Sequence, residues 1–330
     1  MNNKNIFDKL IEKFQNDRSL SDKDKAAVFK NLTSLKDTKV NILITGATGS
    51  GKSSTINALF DFDKAKVGTG VDPETMSISK YELDNIVLFD SPGLGDGKDA
   101  DRRHAKNIIQ KLLEKDDNGE LLIDLVLVVL DGSSRDLGTS FELINNVIIP
   151  NLGDDQSRLL IAINQADMAM KGKYWNHEKN LPEQKLIDFL DEKVASTRKR
   201  IKEATGVDVT PIYYSAGYKD DDEEQKPYNL SKLFAYILRK TKEDKRIVFA
   251  NDMNKNENMW EKDDKLEDYQ KEIQKTFMES LTKSVSKGAS SGADIGGTIG
   301  GIFGKSGEAA GRFIGGIVGG AVGFLKGLLS

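Results

Sequence analysis

The stretch "VNILITGATGSGKSSTINALF", Val40 to Phe60, decides the fold. Its first six residues form a largely apolar run, the pattern of a strand covered on both faces in a parallel sheet. Glycines follow at 46, 49 and 51, and a segment of helical character follows them. Strand, glycine-rich turn and helix, with G-x-x-x-x-G-K-[ST] at the turn, make a phosphate cradle. The glycines let the backbone curl until its N–H groups converge on phosphate oxygens. The helix behind adds its positive end. Lys52 is placed to reach outer phosphates, and the Ser53 hydroxyl is placed to meet Mg²⁺.

Outward from this point, apolar runs alternate with helical stretches. The runs are "NIVLFD" (85–90), "DLVLVVLD" (124–131), "RLLIAIN" (158–164) and "VTPIYYS" (209–215). Helical spacing recurs near 52–60, 99–114, 138–148, 181–204 and 229–240. Such alternation predicts an α/β fold with a doubly wound, mostly parallel sheet. "SISKYEL" (77–83) alternates as an edge strand and is expected to pair antiparallel beside 85–90, giving six strands. "KDDNGE" (115–120) and "KDDDEE" (219–224) are expected to be solvated loops.

Two further stretches carry chemistry. In "DSPG", Asp90 closes a predicted strand, where a carboxylate can support Mg²⁺ through water, and the Gly93 N–H can meet a γ-phosphate. In "NQAD", Asp167 can accept two hydrogen bonds from the N1–H and amine of guanine, a donor pair that adenine lacks. Ser215–Ala216 ends the next strand, where a backbone N–H can meet guanine O6. His104 and His177 are isolated and form no metal-ligand spacing.

The order "GATGSGKSS", "DPET", "DSPG", "NQAD", "SA" resembles the small GTPases of the TrmE–Era–EngA–YfjP–septin class, most of all the bacterial YfjP-type, Era-like branch. "GKSSTINALF", "RDLGTSFELINNVI" and "YNLSKLFAYI" add to the likeness, which covers about residues 1–250. The resemblance implies a Ras-like P-loop fold that binds GTP and GDP with Mg²⁺ and hydrolyses GTP, slowly unless a partner or dimerisation stimulates it. It implies phosphate contacts from Gly49, Ser50, Gly51, Lys52, Ser53, Ser54 and Gly93. Metal ligation falls to Ser53, Thr75 and Asp90, with Thr69 an alternative to Thr75 in the same polar loop. Guanine recognition falls to Asn164, Gln165, Asp167, Ser215 and Ala216.

Three departures bear on mechanism. Gln165 stands where relatives carry a lysine over the base. Leu94 follows "DSPG", where Ras-like proteins place a water-orienting glutamine, and leucine cannot polarise water. Gly49 stands where potassium-stimulated relatives carry asparagine. The catalytic residue is therefore unknown; Thr75 and Asp96 are switch-loop candidates, and Arg135 is a helper or a surface charge.

The flanks differ in character. Residues 1–38 carry Ile6, Leu10, Ile11 and Phe14, then Val28, Leu32 and Leu35, at helical spacing, and form a helical cap on the domain spanning 39–245. Residues 246–287 are a charged helical connector, with Leu266, Tyr269, Ile273, Phe277 and Leu281 on one face. From 288 to 330, glycines recur every four residues in two registers, Gly288 to Gly304 and Gly307 to Gly327. Each glycine inside a helix costs about 1 kcal/mol against alanine, so this tail needs tight packing in lipid, on its own protein or between subunits. A helical hairpin of glycine-zipper type satisfies that need. Phe313–Leu325 is too short for a full span unless Lys326 snorkels, and Asp294 disfavours a simple spanning helix.

Net charge of −4 argues against broad nucleic-acid binding, and the absence of cysteine excludes disulfides and thiolate metal sites. The N-terminus has no apolar run of signal-peptide type, so a cytoplasmic protein is expected, with a membrane contact through 288–330. The expected partners are a guanine nucleotide, membrane lipid at the tail and a nucleotide-dependent second copy.

Overall fold

The computed structural model describes residues 5–60, 66–68, 78–93, 95, 97–220, 223–289, 295 and 299. Thr69, Thr75, Leu94, Asp96 and most of the 288–330 tail lie outside the described residues.

Two helices open the chain, α1 (Ile6–Gln15) and α2 (Asp22–Asp37). Asn5 and Ser21 cap them, each side chain accepting a backbone N–H of the first turn. The sheet follows: β1 (Val40–Thr45), β2 (Lys66–Gly68), β3 (Ser79–Glu82), β4 (Ile86–Asp90), β5 (Leu125–Asp131), β6 (Leu159–Asn164) and, after two two-residue strands described below, Ile212–Tyr213. Interleaved are α3 (Lys52–Leu59), α4 (Lys98–Leu113) and α5 (Gly138–Glu142), which continues into a π-helical turn at Leu143–Ile148. The two short strands, β7 (Trp175–Asn176) and β8 (Leu181–Pro182), pair antiparallel with each other, and the sheet's last strand is β9 (Ile212–Tyr213). The sheet order is β2-β3-β4-β1-β5-β6-β9, parallel from β4 through the edge strand β9 and antiparallel at β2 and β3. All six predicted strands are present, and β2 adds a seventh at the edge.

Alternate residues of each strand face opposite layers. Val40, Ile42, Ile44, Leu125, Leu127 and Val129 bury against one layer, which α1, α2, α7 (Leu230–Lys240) and α9 (Tyr269–Val285) share. Leu43, Val126, Val128, Leu130, Ile161 and Ile163 bury against the other, built by α4, Leu143–Ile148 and α6 (Gln184–Thr205). Each fully buried Leu, Ile or Phe contributes roughly 2 kcal/mol before entropy is counted. The parallel strands are apolar on both faces for this reason.

Two stretches differ locally from expectation. The run 209–215 yields only a two-residue strand, because Pro211 has no N–H to give a ladder. The Tyr214 N–H still donates to Ile163 O of β6, but Ser215 turns away: its N–H donates to Tyr228 O, and the Tyr228 N–H returns to Ser215 O. The acidic stretch near 219–224 is not merely a loop, since β10 (Tyr218–Asp220) pairs antiparallel with β11 (Glu223–Gln225).

The connector is helical in pieces: 3₁₀ turns at Glu243–Val248 and Glu257–Trp260, α8 (Phe249–Asp252), then α9. Ile247, Phe249, Trp260, Tyr269 and Phe277 bury in the same core cluster as α1 and α2. Ile295 and Ile299 join that cluster, so the start of the tail packs on the folded body.

Candidate functional site

The site forms where β1, β4 and β6 end. Gly46, Gly49 and Gly51 all hold positive φ, 150°, 79° and 85°. At Gly46 a Cβ would lie 2.1 Å from Val129 O, and at Gly51 it would lie 2.1 Å from Asn164 Nδ2. Only glycine fits either place. Lys52 opens α3 and donates to Gly46 O and Ala47 O, both at 3.1 Å, so its ammonium lies over the turn.

Asp90 ends β4 with Oδ1 buried and without a hydrogen-bond partner. Burial pushes its carboxyl up, while Lys52 opposes the shift. A buried, unpartnered carboxylate oxygen beside the first turn of α3 suits a hard cation held jointly with a hydroxyl and phosphate oxygens. Ser53 and Asp90 fit such a role; among the described residues no group of three or more His, Cys, Asp or Glu could hold a metal unaided.

Gly93 presses on the phosphate loop: a Cβ there would stand 2.6 Å from Thr48 N and Cα. Behind it, buried His104 on α4 meets Gly93 O at 3.1 Å through Nδ1. A carbonyl only accepts, so Nδ1 carries the proton at this contact. The Gly95 N–H donates to Asp101 Oδ1 at 2.9 Å. Sequence reading missed both tethers. A histidine eleven positions after a Pro-Gly loop is the only hint the chain offers.

On the opposite side, Asn164 joins three segments. Its Nδ2 donates to Ser50 O at 3.0 Å, and its Oδ1 accepts the Ala216 N–H at 2.9 Å. Gln165, with φ 59°, donates from Nε2 to Gly49 O at 2.7 Å. Asp167 is 5% exposed, and Ser215 and Ala216 are buried beside it in the chain of contacts: the Ala166 N–H donates to Tyr214 O. Tyr214, whose hydroxyl lies 2.6 Å from Thr55 Oγ1, is pushed up by burial and locks α3 to this corner. The structure therefore brings Gly49–Ser54, Asp90, Gly93, Asn164, Gln165, Asp167, Ser215 and Ala216 to one end of the sheet, with the Ala216 N–H engaged by Asn164.

Sequence reading also missed the wall behind Asn164. Gly132 approaches so closely that a Cβ would lie 2.3 Å from Asn164 O, and its N–H donates to that oxygen at 2.7 Å. Lys193 on α6 donates to Gly132 O and Ser134 O at 2.6 and 2.7 Å.

With that geometry in place, residues 41–165 match the family described as 50S ribosome-binding GTPase. Translocase of chloroplast 125 of Physcomitrium patens is 35% identical over 105 residues, 30% of this chain and 8% of that protein. Interferon-inducible GTPase 1 of Mus musculus is 37% identical over 76 residues, 21% of this chain and 18% of its own length. The chain thus spans less than a fifth of either curated relative. Among solved structures, Toc33 of Arabidopsis thaliana with GDP and Mg²⁺ is 15% identical, with a TM-score of 0.44 over 74% of this chain and 99% of that one. A probable GTP-binding protein engB is 21% identical, with a TM-score of 0.36 over 61% and 98%. The phosphate loop, the β4 carboxylate and the Asn164 corner lie in or against the matched segment, so the site falls where this chain is similar to that GTPase family.

Proposed function

We propose that this protein is a GTP-binding, GTP-hydrolysing switch of Era-like, YfjP-type character whose nucleotide state controls its C-terminal helical regions. The observation that carries the reading is Asn164, which ties the phosphate loop to the Ser215–Ala216 loop and so joins a phosphate cradle to a purine-reading corner.

In this reading Gly49 to Ser54 and Gly93 turn N–H groups toward the phosphates, and Lys52 leaves its carbonyl contacts to reach the outer ones. Ser53, Asp90 and Thr75 hold Mg²⁺, which when bound offsets charge on the outer phosphates. Asp167 accepts the guanine N1–H and amine, with Asn164, Gln165, Ser215 and Ala216 framing the base. The step at γ-phosphate uses neither a glutamine after Gly93 nor a histidine, so Thr75, Asp96, a partner or a second copy of the chain completes it. Hydrolysis by the protein alone is accordingly slow.

Loss or gain of γ-phosphate resets the loop after Gly93, and the connector and tail respond by exposing 288–330 to lipid or to a second copy. Ile295 and Ile299, buried with α9 and α2, support a state in which the tail's beginning is held down. Among the described residues no helix is long and apolar enough to cross a membrane. A cytoplasmic protein with peripheral membrane contact is the arrangement we favour. Liposome flotation with GTP analogue, GDP and no nucleotide tests the coupling: flotation should rise with the analogue, and equal flotation in all three states removes it.

The family description favours a second reading, a ribosome-assembly GTPase. Nucleotide-dependent co-sedimentation with large ribosomal subunits would replace the tail hypothesis.

A further inference from the structure

Beside the base corner lies a cavity of about 610 Å³ between the 133–141 segment, the turn at 170–173 and α6. Five cations line it, Arg135, Lys171, Lys173, Lys193 and Arg200, against one carboxylate, Glu192. The chain as a whole carries net charge −4, so this concentration runs against its average. Among the described residues, none of the five has a carboxylate oxygen within ion-pair distance.

The floor is apolar. Leu137, Phe141, Met170 and Phe189 are half-buried and packed on the second core cluster. The Arg200 guanidinium lies 5.4 Å from the Phe141 ring centre, and Lys193 Nζ lies 6.0 Å from that of Phe189. Met170 and Lys171 hold left-handed backbone at φ 53° and 63° in the turn that forms one side of the cavity.

The cavity shares a wall with the base corner. Lys193 holds the carbonyls of Gly132 and Ser134, the Gly132 N–H holds Asn164 O, and Ser133 Oγ, which donates to Asp131 Oδ1 at 2.6 Å, lies 3.4 Å from Gln165 Oε1. A carboxylate arriving in the cavity competes for the Lys193 ammonium and loosens the segment that backs Asn164 and Gln165. Long cationic side chains around a floor of large apolar groups suit an amphipathic occupant, since a bare anion would leave that floor uncovered.

From this arrangement we infer that the cavity docks a short acidic peptide segment of a partner protein, bearing one large apolar side chain, and that docking speeds nucleotide release. The second half rests on the nucleotide reading above; the first does not.

The test uses the full chain and a fluorescein-labelled peptide, Asp-Glu-Phe-Leu-Asp-Glu, with its Asn/Gln counterpart as control. Anisotropy should show saturable binding of the acidic peptide, at least tenfold tighter than the neutral one. Lys173→Glu with Arg200→Glu, both exposed positions, should weaken it at least tenfold while circular dichroism and thermal midpoint stay unchanged. Saturating peptide should speed release of mant-GDP several-fold in the original chain and not in the double variant. Equal binding of the two peptides, binding indifferent to charge reversal, or displacement by inorganic pyrophosphate at the peptide's own concentration range overturns the docking site. If mant-GDP fails to bind while the peptide binds as described, the nucleotide reading falls and the docking cleft stands. Peptide binding without faster release retains the cleft and overturns the coupling.

Discussion

Asn164 Nδ2 donates to Ser50 O across 114 residues of sequence, and the same side chain's Oδ1 accepts the Ala216 N–H. One amide thus sets the distance between the phosphate loop and the loop after β9. Asn164→Ala leaves a buried carbonyl and a buried N–H without partners. Orphaned groups of this kind cost about 1–3 kcal/mol each. If about 2 kcal/mol of that falls on the assembled pocket, GDP and GTP affinity both drop about thirtyfold. Calorimetry with each nucleotide reads the change, and unchanged affinity would show that the corner does not contact nucleotide.

Asp167 makes a sharper case for the base. It is buried at the edge of that corner with no hydrogen-bonded side-chain partner among the described residues. Asp167→Asn replaces an acceptor of two N–H groups with one that accepts one and donates one, the pattern suited to xanthine. The variant should lose at least about tenfold in GTP affinity and gain xanthosine triphosphate binding. Loss of both nucleotides together would mean that Asp167 supports the corner rather than reads the base.

How much of this was legible follows the range of the contacts. The phosphate loop reads directly, because its glycines, lysine and serine lie within nine residues and each has its own local reason. Five strands read from apolar runs, and the antiparallel strand at 79–82 from alternation. Asn164 read as part of a motif, yet its grip on Ser50 could not, since a side chain bonding a backbone carbonyl 114 residues away leaves no local pattern. His104 reads as an isolated histidine for the same reason: its partner is a carbonyl, and every residue has one. The short β9 was legible in principle from Pro211. The packing of 246–285 into the α1–α2 core was not, because an amphipathic face shows that something covers it and not what.

Gly93 and His104 define the next expectation. A methyl at Gly93 meets Thr48 backbone at 2.6 Å, so Gly93→Ala must displace either the 91–95 loop or the phosphate loop. A GTP analogue, which needs the Gly93 N–H in the proposed pose, should lose more affinity than GDP, by about tenfold or more. His104→Leu removes the donor to Gly93 O and should narrow the ratio of GTP-analogue to GDP affinity in the same direction. His104→Asn places an amide nitrogen near the lost Nδ1 and should restore part of that ratio. Equal losses for both nucleotides in all three variants would make the tether a matter of folding alone.

The last expectation concerns how the connector is joined to the sheet. Asp252 Oδ2 accepts the N–H groups of Asn85 and Ile86 at 2.6 and 2.8 Å, and Asn85 Nδ2 donates in turn to the carbonyls of Leu35, Lys36 and Thr38. One carboxylate and one amide therefore bind α8, the start of β4 and the end of α2 into a single unit, four residues before Asp90. Asp252→Ala orphans two buried N–H groups and should lower unfolding free energy by about 2 kcal/mol or more. Burial outweighs those two bonds and raises the Asp252 pKa. A raised carboxyl pKa means that folding favours the protonated form, so its contribution is full below the ordinary aspartate range near 4. That contribution is lost as pH climbs through the raised value. Urea midpoints between pH 3.5 and 7 should carry this downward component in the original chain and lack it in Asp252→Asn. If both chains trace the same profile, the carboxyl titrates as in the unfolded chain and the junction is held by packing alone.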